Sequence, residues 1–327
     1  MAKTRYAPDR GLTARMTLTI FLLGVVFVAF ITALVFVLGA TNKVSSGGIV
    51  FIAVVVGLAL GVGSFWYSDK IALFSMNARP VQPTDSAEAH RLHAVLDRLC
   101  ALADMPKPKV ALVDSDVPNA FAAGRSQKNA VVCATTGLMR RLPDDRELEG
   151  VLAHELSHVA HKDVAVMTIA SFLGILAGLL TRITFEIGLW GGYSDRRDDR
   201  DGDSAGFILL MVTLFSAVVY ALSFLLIRGL SRYRELAADR AGALLTGNPS
   251  ALSNALVRIT DDMGRIPTQD LRKQEAFNAF FFAPAFTKGA SLSSLFATHP
   301  SVQVRQEKLA QIAVELGRGA SGTALGR

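Results

Sequence analysis

The sequence predicts a mainly α-helical membrane protein with a smaller soluble part that contains both helices and a short β-sheet. Its 327 residues are 51% hydrophobic and only 19% charged, whereas soluble domains have roughly 25% charged residues. Between long stretches without charged residues, the sequence contains amphipathic helical patterns and short β-rich runs. The stretches without Asp, Glu, Lys or Arg are 16–42, 44–68, 164–181 and 204–227.

These four uncharged stretches are predicted to be transmembrane helices, because a bilayer core needs about 20 apolar residues per helix. The first two are separated by a short polar turn at 42–48 and form a predicted helical hairpin. The hairpin ends at Trp66 and Tyr67, aromatic residues of the kind that favour the membrane interface. The third stretch, 164–181, is the shortest, and a buried soluble helix is its alternative interpretation.

The distribution of basic residues predicts the orientation in the membrane. Lys and Arg precede the first span and follow the second and fourth, whereas the first hairpin loop contains Lys43 alone. By the positive-inside rule, both termini and segment 68–163 are expected to be cytoplasmic. Basic residues in 228–327 lack the clustered stripe that phosphate binding requires, so the net charge of +6 does not indicate a nucleic-acid partner. We expect Cys100 and Cys133 to stay reduced in the cytoplasm.

The segment after the first hairpin is predicted to fold into two helices and a small sheet. Leucine and valine residues at helical spacing predict an amphipathic helix over 86–103. The short runs 110–113 and 130–134, with 119–124 between them, predict strands of a small sheet or hairpin. Pro143 and the two aspartates after it predict the start of another helix, which runs toward the third span.

The C-terminal third is predicted to be helical apart from an acidic loop at 191–206. That loop is expected to be solvated, and a metal or regulatory role for its aspartates is the alternative. A helix over 228–245 is closed by a Gly-Asn-Pro stop, and 250–263 and 301–316 are predicted as further helices. The predicted domain organisation is an N-terminal transmembrane hairpin (1–67), a first cytoplasmic part (68–163), a second transmembrane hairpin (164–227) and a second cytoplasmic part (228–327).

The motif formed by His154, Glu155 and His158 carries the most specific chemistry. On a helix the two histidines are one turn apart, so both imidazoles face the same side and can bind one zinc ion. Glu155 beside them can take a proton from the attacking water. Histidines that are merely packed or solvated are the alternative.

A third protein ligand is needed to complete a zinc site. His161 is one candidate, but on a continuous helix it lies about 4.5 Å beyond His158 along the axis, a poor position for the same tetrahedron. Glu235 is the better candidate, because Asp239 follows it by one turn and a metal-bound histidine commonly donates its free N–H to a carboxylate. An exposed acidic helix face is the alternative.

The distances of these candidates from the membrane support Glu235. If each helix continues from its span, His158, His154 and Glu235 lie about 9, 15 and 12 Å from the membrane end. Two antiparallel helices would then present all three side chains to one ion on the cytoplasmic side.

Together these features resemble the HtpX family of membrane zinc peptidases. Members of this family are gluzincins that are related to the CAAX prenyl proteases. The resemblance rests on the 154–158 motif, the run 231–235 with Asp239, the stretch 119–122, the pair His299-Pro300 and the four predicted spans. It implies a cytoplasmic zincin-like α+β catalytic domain in a multi-pass protein of the bacterial inner membrane. It also implies an endopeptidase that acts on damaged or misfolded membrane and cytoplasmic proteins, often under stress.

Carried over residue by residue, the resemblance implies one zinc ion per chain, bound by His154, His158 and Glu235. It implies that Glu155 is the general base, and Asp239 is expected to orient a ligand histidine. The substrate would pair as an extended strand with Asn119, Ala120, Phe121 and Ala122, because a free sheet edge recognises the backbone of any sequence.

Three points remain open from the sequence. The stretch 119–122 could be an ordinary loop. His299, helped by Arg305, could stabilise the oxyanion of the reaction, but a cap or packing role is equally compatible. The chain could also be a CAAX prenyl protease-like peptidase, or a catalytically silent membrane scaffold. The sequence contains no phosphate-binding loop, so we expect no nucleotide partner and substrates that arrive already unfolded.

Overall fold

The computed structural model describes residues 10–39, 66–163, 202–263 and 300–324, with short pieces at 62–63, 166–167, 177–178, 181–182 and 185–186. Most of the second and third predicted spans lies outside the described residues. The same is true of His299 and of the predicted acidic loop up to residue 201.

The described structure is mainly helical, as the sequence predicts, with one small mixed sheet. In chain order the helices are α1 (Arg10–Gly39), α2 (Ser68–Ser75), α3 (Ala87–Ala103), α4 (Thr136–Arg141), α5 (Asp145–Ala160), α6 (Gly202–Thr246), α7 (Pro249–Met263) and α8 (Val302–Ala324). The strands are β1 (Arg79–Pro80), β2 (Lys109–Val113), β3 (Ala120–Ala123) and β4 (Val131–Thr135).

The chain divides into two compact units. One contains residues 1–13, 67–165 and 231–327, and the other contains 14–66 and 166–230. Every residue of the candidate site discussed below belongs to the first unit.

Two described segments are long and apolar enough to cross a membrane. They are Arg10–Phe30 and Leu210–Thr246, with mean hydropathies of 2.0 and 2.4. Large apolar side chains of both are exposed: Phe21 and Val28 in the first are each 64% exposed, and Val218 in the second is 58% exposed. A helix in the core of a soluble protein would bury such residues, whereas a membrane helix presents them to lipid.

Strand β4 lies in the interior of the sheet and is buried at every residue. The strand order is β1-β2-β4-β3, with β2 parallel to β4 and β3 antiparallel to it. The sequence left a hairpin of 110–113 with 130–134 open, but these two segments pair in parallel. The hairpin partner of β4 is β3, which lies at an edge of the described sheet.

The main hydrophobic core lies on one face of this sheet. Helices α3, α5, α7 and α8 contribute to it, and it includes Leu96, Leu152, Leu252 and Leu309. A smaller cluster on the other face joins Phe121 to residues of β2, β4 and α2. Helix α5 is therefore held between the sheet and the other helices, which fixes the positions of its histidines.

Candidate active site

Helix α5 carries the histidine motif through the interior of the first unit. Asp144 caps the helix by accepting a hydrogen bond from the backbone N–H of Arg146, in agreement with the predicted start. Residues 147–159 are all buried, because α5 packs against α3, α7 and β3. Its histidines are thus core residues on a rigid element, with little freedom to change rotamer.

The end of α5 differs from the prediction. The helix stops at Ala160, and Lys162 has a φ of 58°, a left-handed conformation that is uncommon outside glycine. The assumption that α5 continues unbroken into the third span is therefore wrong. Helix α6, by contrast, runs without interruption from the fourth predicted span through Glu235 to Thr246.

Helices α5 and α6 approach each other closely at Gly242. A Cβ atom at this position would lie 2.9 Å from the backbone nitrogen of His154 and 3.2 Å from the carbonyl carbon of Ala153. Glycine permits this contact because it has no side chain. Glu235, Asp239 and Gly242 lie at helical spacing on one face of α6, so the close approach brings both carboxylates to α5.

His154, His158 and Glu235 converge into one buried cluster that could hold a metal ion. The two imidazole Nε2 atoms are 3.2 Å apart. Oxygens of Glu235 lie 3.4 Å from His154 Nε2 and 3.5 Å from His158 Nε2. Ligand bonds of about 2.0–2.1 Å in a tetrahedral zinc site place neighbouring ligand atoms about 3.3–3.4 Å apart, so these residues fit a zinc ion.

The outer nitrogen of His154 is held by Asp239. His154 Nδ1–H donates to Asp239 Oδ1 at 2.9 Å, since an ionised carboxylate can only accept. Arg305 donates to both oxygens of Asp239, at 2.6 and 2.7 Å, and Arg305 and Asp239 are both fully buried. This contact leaves the Nε2 lone pair of His154 directed at the ligand cluster, the arrangement that the sequence predicts for Asp239.

The outer nitrogen of His158 is held by Asp163, a residue that the sequence analysis did not single out. His158 Nδ1–H donates to Asp163 Oδ2 at 2.6 Å. The same oxygen forms an ion pair with Arg234 Nε at 2.9 Å. No sequence motif indicates this contact, because it depends on the left-handed conformation of Lys162 after α5.

The carboxylates around the histidines create a strong preference for positive charge. Burial opposes protonation of His154, but hydrogen bonds to Asp239 and Glu235 outweigh it and raise its pKa to about 9. Burial of Asp239 is outweighed by Arg305, so its pKa is lowered, and Arg234 acts in the same way on the pKa of Asp163. A site that attracts a proton in this way also attracts a metal cation.

Glu155 lies between the histidine pair and the sheet edge. Its Oε2 accepts a hydrogen bond from the backbone N–H of Ala122 in β3 at 3.0 Å. Burial raises the pKa of Glu155, with His154 and His158 acting in the opposite direction. A raised carboxyl pKa suits a general base that works near neutral pH.

The stretch 119–122 forms the beginning of β3 and the residue before it. Asn119 is anchored at both backbone groups, since its N–H donates to Thr135 Oγ1 and its C=O accepts from the N–H of Thr135, each at 2.9 Å. The N–H of Ala122 points away from β4, toward Glu155. The structure therefore places this stretch on an edge strand beside the candidate base.

Two other candidates have different surroundings. His161 is the C-terminal cap of α5, and its Nδ1 lies 2.9 Å from the carbonyl oxygen of Ser157. His161 does not belong to the metal-binding cluster found among the described residues.

The guanidinium of Arg305 contacts Asp239 and, at 3.4 Å, His154 Nδ1. These contacts favour a role in positioning His154 over the predicted help to an oxyanion.

A helix-borne histidine pair, with a neighbouring glutamate and a third ligand from a second helix, is the arrangement expected of a metallopeptidase. Comparison with known proteins supports this class, because a family model described as Peptidase family M48 matches residues 86–313. The chain belongs to this family.

Curated relatives match almost the whole chain. Protease HtpX homolog 1 of Streptomyces coelicolor is 55% identical, with 96% of this chain and 97% of that protein covered. Protease HtpX homolog of Moorella thermoacetica is 47% identical, with 94% and 96% covered. The resemblance to the HtpX family is thus confirmed, and the chain is a membrane metalloprotease.

A solved structure shows the same fold. The crystal structure of Ste24p from S. mikatae matches with a TM-score of 0.50 over 88% of this chain and 66% of that one. The two sequences are 17% identical.

Proposed function

We propose that this membrane metalloprotease is a zinc-dependent endopeptidase that cleaves unfolded or damaged proteins. The observation that carries the proposal is the hydrogen bond between Glu155 and the backbone of Ala122. It joins the candidate base, which is the neighbour of a candidate metal ligand, to an edge strand where a peptide can pair. Metal, base and substrate would therefore meet in one place.

His154, His158 and Glu235 would hold one zinc ion per chain. The ion would act as a Lewis acid that polarises the scissile carbonyl and lowers the pKa of the attacking water. Glu155 would remove a proton from that water and pass it to the departing amine. Asp239, held by Arg305, would keep His154 in the tautomer and orientation that zinc binding requires.

The edge strand would supply broad specificity. Antiparallel strands direct alternate backbone groups outward, so Ala120 and Ala122 present theirs on the side away from β4. The N–H of Ala122, which donates to Glu155, would exchange that partner for the substrate. An extended peptide paired there would be held through its own backbone, whatever its side chains. The substrate must be locally unfolded to adopt this conformation, which is why we propose damaged or misfolded membrane and cytoplasmic proteins as substrates.

The proposed topology has four membrane spans with both termini and the active site in the cytoplasm. It rests on the four uncharged stretches and on the excess of Lys and Arg beside them. The same reasoning supports the division into segments 1–67, 68–163, 164–227 and 228–327, in which two membrane hairpins alternate with two catalytic parts. The cell membrane is the proposed location.

The test is cleavage of casein by the full-length protein, purified in detergent with zinc, compared with Glu155→Gln. We expect the variant to keep one zinc per chain and to lose cleavage by about 10²-fold or more. Glu149→Gln is the matched control, because Glu149 is a buried carboxylate on the same helix that pairs with Arg98 at 2.7 Å instead. Equal cleavage by the wild type and Glu155→Gln would contradict the mechanism.

A prenylated peptide offered beside casein separates the proposed function from a CAAX prenyl protease-like activity. We expect cleavage of casein and no preference for the prenylated peptide. A wild-type protein that binds zinc and cleaves neither substrate would instead indicate a silent scaffold.

A further inference from the structure

Asp163, which is buried, and Arg234, whose side chain is 11% exposed, form an ion pair directly behind His158. Asp163 is 1% exposed, and its Oδ2 lies 2.6 Å from His158 Nδ1 and 2.9 Å from Arg234 Nε. Neither residue has a part in the proposed reaction. Removing a charged pair from water costs free energy, so the contact with His158 is made at the expense of desolvation.

The backbone is bent to make this contact. Asp163 follows His158 by five residues, which on a continuous α-helix would turn its side chain away from the histidine. The left-handed conformation of Lys162 interrupts the helix after α5, and the Asp163 carboxylate lies beside the imidazole. Non-glycine residues adopt this conformation at an energetic cost, so the contact is maintained against local strain.

Arg234 connects this turn to the second helix of the cluster. It precedes Glu235 on α6, so one ion pair links the end of α5 to the helix that supplies the third ligand. The arrangement around His154 is parallel, with Asp239 between the histidine and Arg305. Each ligand histidine is thus held by its own aspartate, and each aspartate by its own arginine.

We propose that Asp163 and Arg234 are positioning residues for metal binding. Asp163 accepts a hydrogen bond from the Nδ1–H of His158, which fixes the tautomer whose Nε2 lone pair faces Glu235 and His154. Arg234 holds the Asp163 carboxylate in place and links it to α6, the helix that supplies Glu235. This inference rests on the proposed metal site and adds a second pair of orienting residues to it.

The test measures zinc affinity of the full-length protein in detergent, by competition with a chromophoric chelator. Asp163→Asn keeps the shape of the side chain but removes its charge, and its amide N–H₂ can donate to Nδ1 and stabilise the wrong tautomer. We expect a 10- to 100-fold loss of zinc affinity. Arg234→Gln is expected to lose less, and Arg234→Lys to recover part of that loss by restoring the positive charge.

A matched control separates positioning from general stability. Glu147 is also a buried carboxylate on α5 that pairs with an arginine, Arg258 at 3.3 Å, at the opposite end of the helix from His158. Glu147→Gln should leave zinc affinity within twofold of the wild type. Arg234 acts through Asp163. The loss of zinc affinity caused by Arg234→Gln should therefore be smaller in the Asp163→Asn variant than in the wild-type protein.

The outcomes distinguish this inference from the proposed function. A wild-type protein that binds no zinc would overturn both. Zinc affinity of Asp163→Asn within twofold of a zinc-binding wild type would overturn the positioning role alone, and additive losses in the double variant would overturn the link through Arg234. If Asp163→Asn does not fold, unchanged affinity in Arg234→Gln overturns the proposal, and a loss that Arg234→Lys partly restores supports it.

Discussion

Replacement of Gly242 by alanine tests how the two helices of the candidate site are brought together. The new methyl carbon would lie 2.9 Å from the backbone nitrogen of His154, whereas nonbonded contacts are favourable at about 3.5–4.0 Å. The obstructing atoms are backbone, so they cannot rotate away. Helix α6 must therefore move from α5 by at least about 0.6 Å at this point.

That displacement reaches the site through Asp239, which lies about 4.5 Å from Gly242 along the helix axis. The bond between Asp239 and His154, 2.9 Å long, would lengthen to about 3.5 Å, the limit of hydrogen bonding. Overpacking of this kind costs about 1–3 kcal/mol of stability. We expect zinc affinity to fall about tenfold or more, and casein cleavage by up to about 10²-fold, because misplacement of this size disrupts catalytic geometry.

The assay combines chelator competition for zinc with casein cleavage, on the full-length protein in detergent. Gly229→Ala is the control, because it adds the same methyl group to the same helix at a position where a Cβ meets nothing within 4 Å. It should retain wild-type zinc affinity and activity. If Gly242→Ala matches Gly229→Ala in both measurements, the close approach does not position the ligands and the reasoning is wrong.

Three further substitutions have defined expectations. Ala122→Pro removes the N–H that donates to Glu155, so cleavage should fall at least tenfold while bound zinc, measured by metal analysis, stays at one per chain. Arg305→Met removes the cation that compensates the buried Asp239, and we expect a loss of about 3–5 kcal/mol of stability, seen as a lower thermal unfolding midpoint. Lys162→Gly relieves the left-handed conformation of this residue and should stabilise the protein by about 1 kcal/mol, with zinc affinity unchanged. An unfolding midpoint at or below that of the wild type would count against strain at this position.

The sequence predicts those parts of the site that depend on local periodicity. The spacing of His154 and His158 on a capped helix, and of Glu235 and Asp239 on a second one, is sufficient to place each pair on one helix face. These predictions depend on helix geometry alone, which is the same in every protein. The start of α5 at Asp145 follows in the same way from its capping aspartate.

The sequence does not predict the contacts that depend on an unusual backbone conformation or on distant segments. The contact of Asp163 with His158 requires a left-handed lysine, a conformation that residue type does not favour. The partner of Arg305 lies 66 residues earlier in the chain, and no local pattern connects the two. The role of Gly242 cannot be predicted for a similar reason. In sequence, a glycine inside a helix indicates only a less stable helix, and its close contact with the backbone of α5 depends on the tertiary structure.

The charges of the site explain why two arginines accompany four carboxylates. With neutral histidines, the four negative and two positive groups leave a net charge of −2 in the buried region, which a divalent cation balances. Without the arginines the carboxylates alone would carry −4, and one metal ion could not compensate them at the low polarity of the interior. Each arginine thus permits an ionised aspartate behind a histidine while leaving the demand for one divalent ion intact. The four carboxylates are those of Glu155, Asp163, Glu235 and Asp239, and the two arginines are Arg234 and Arg305.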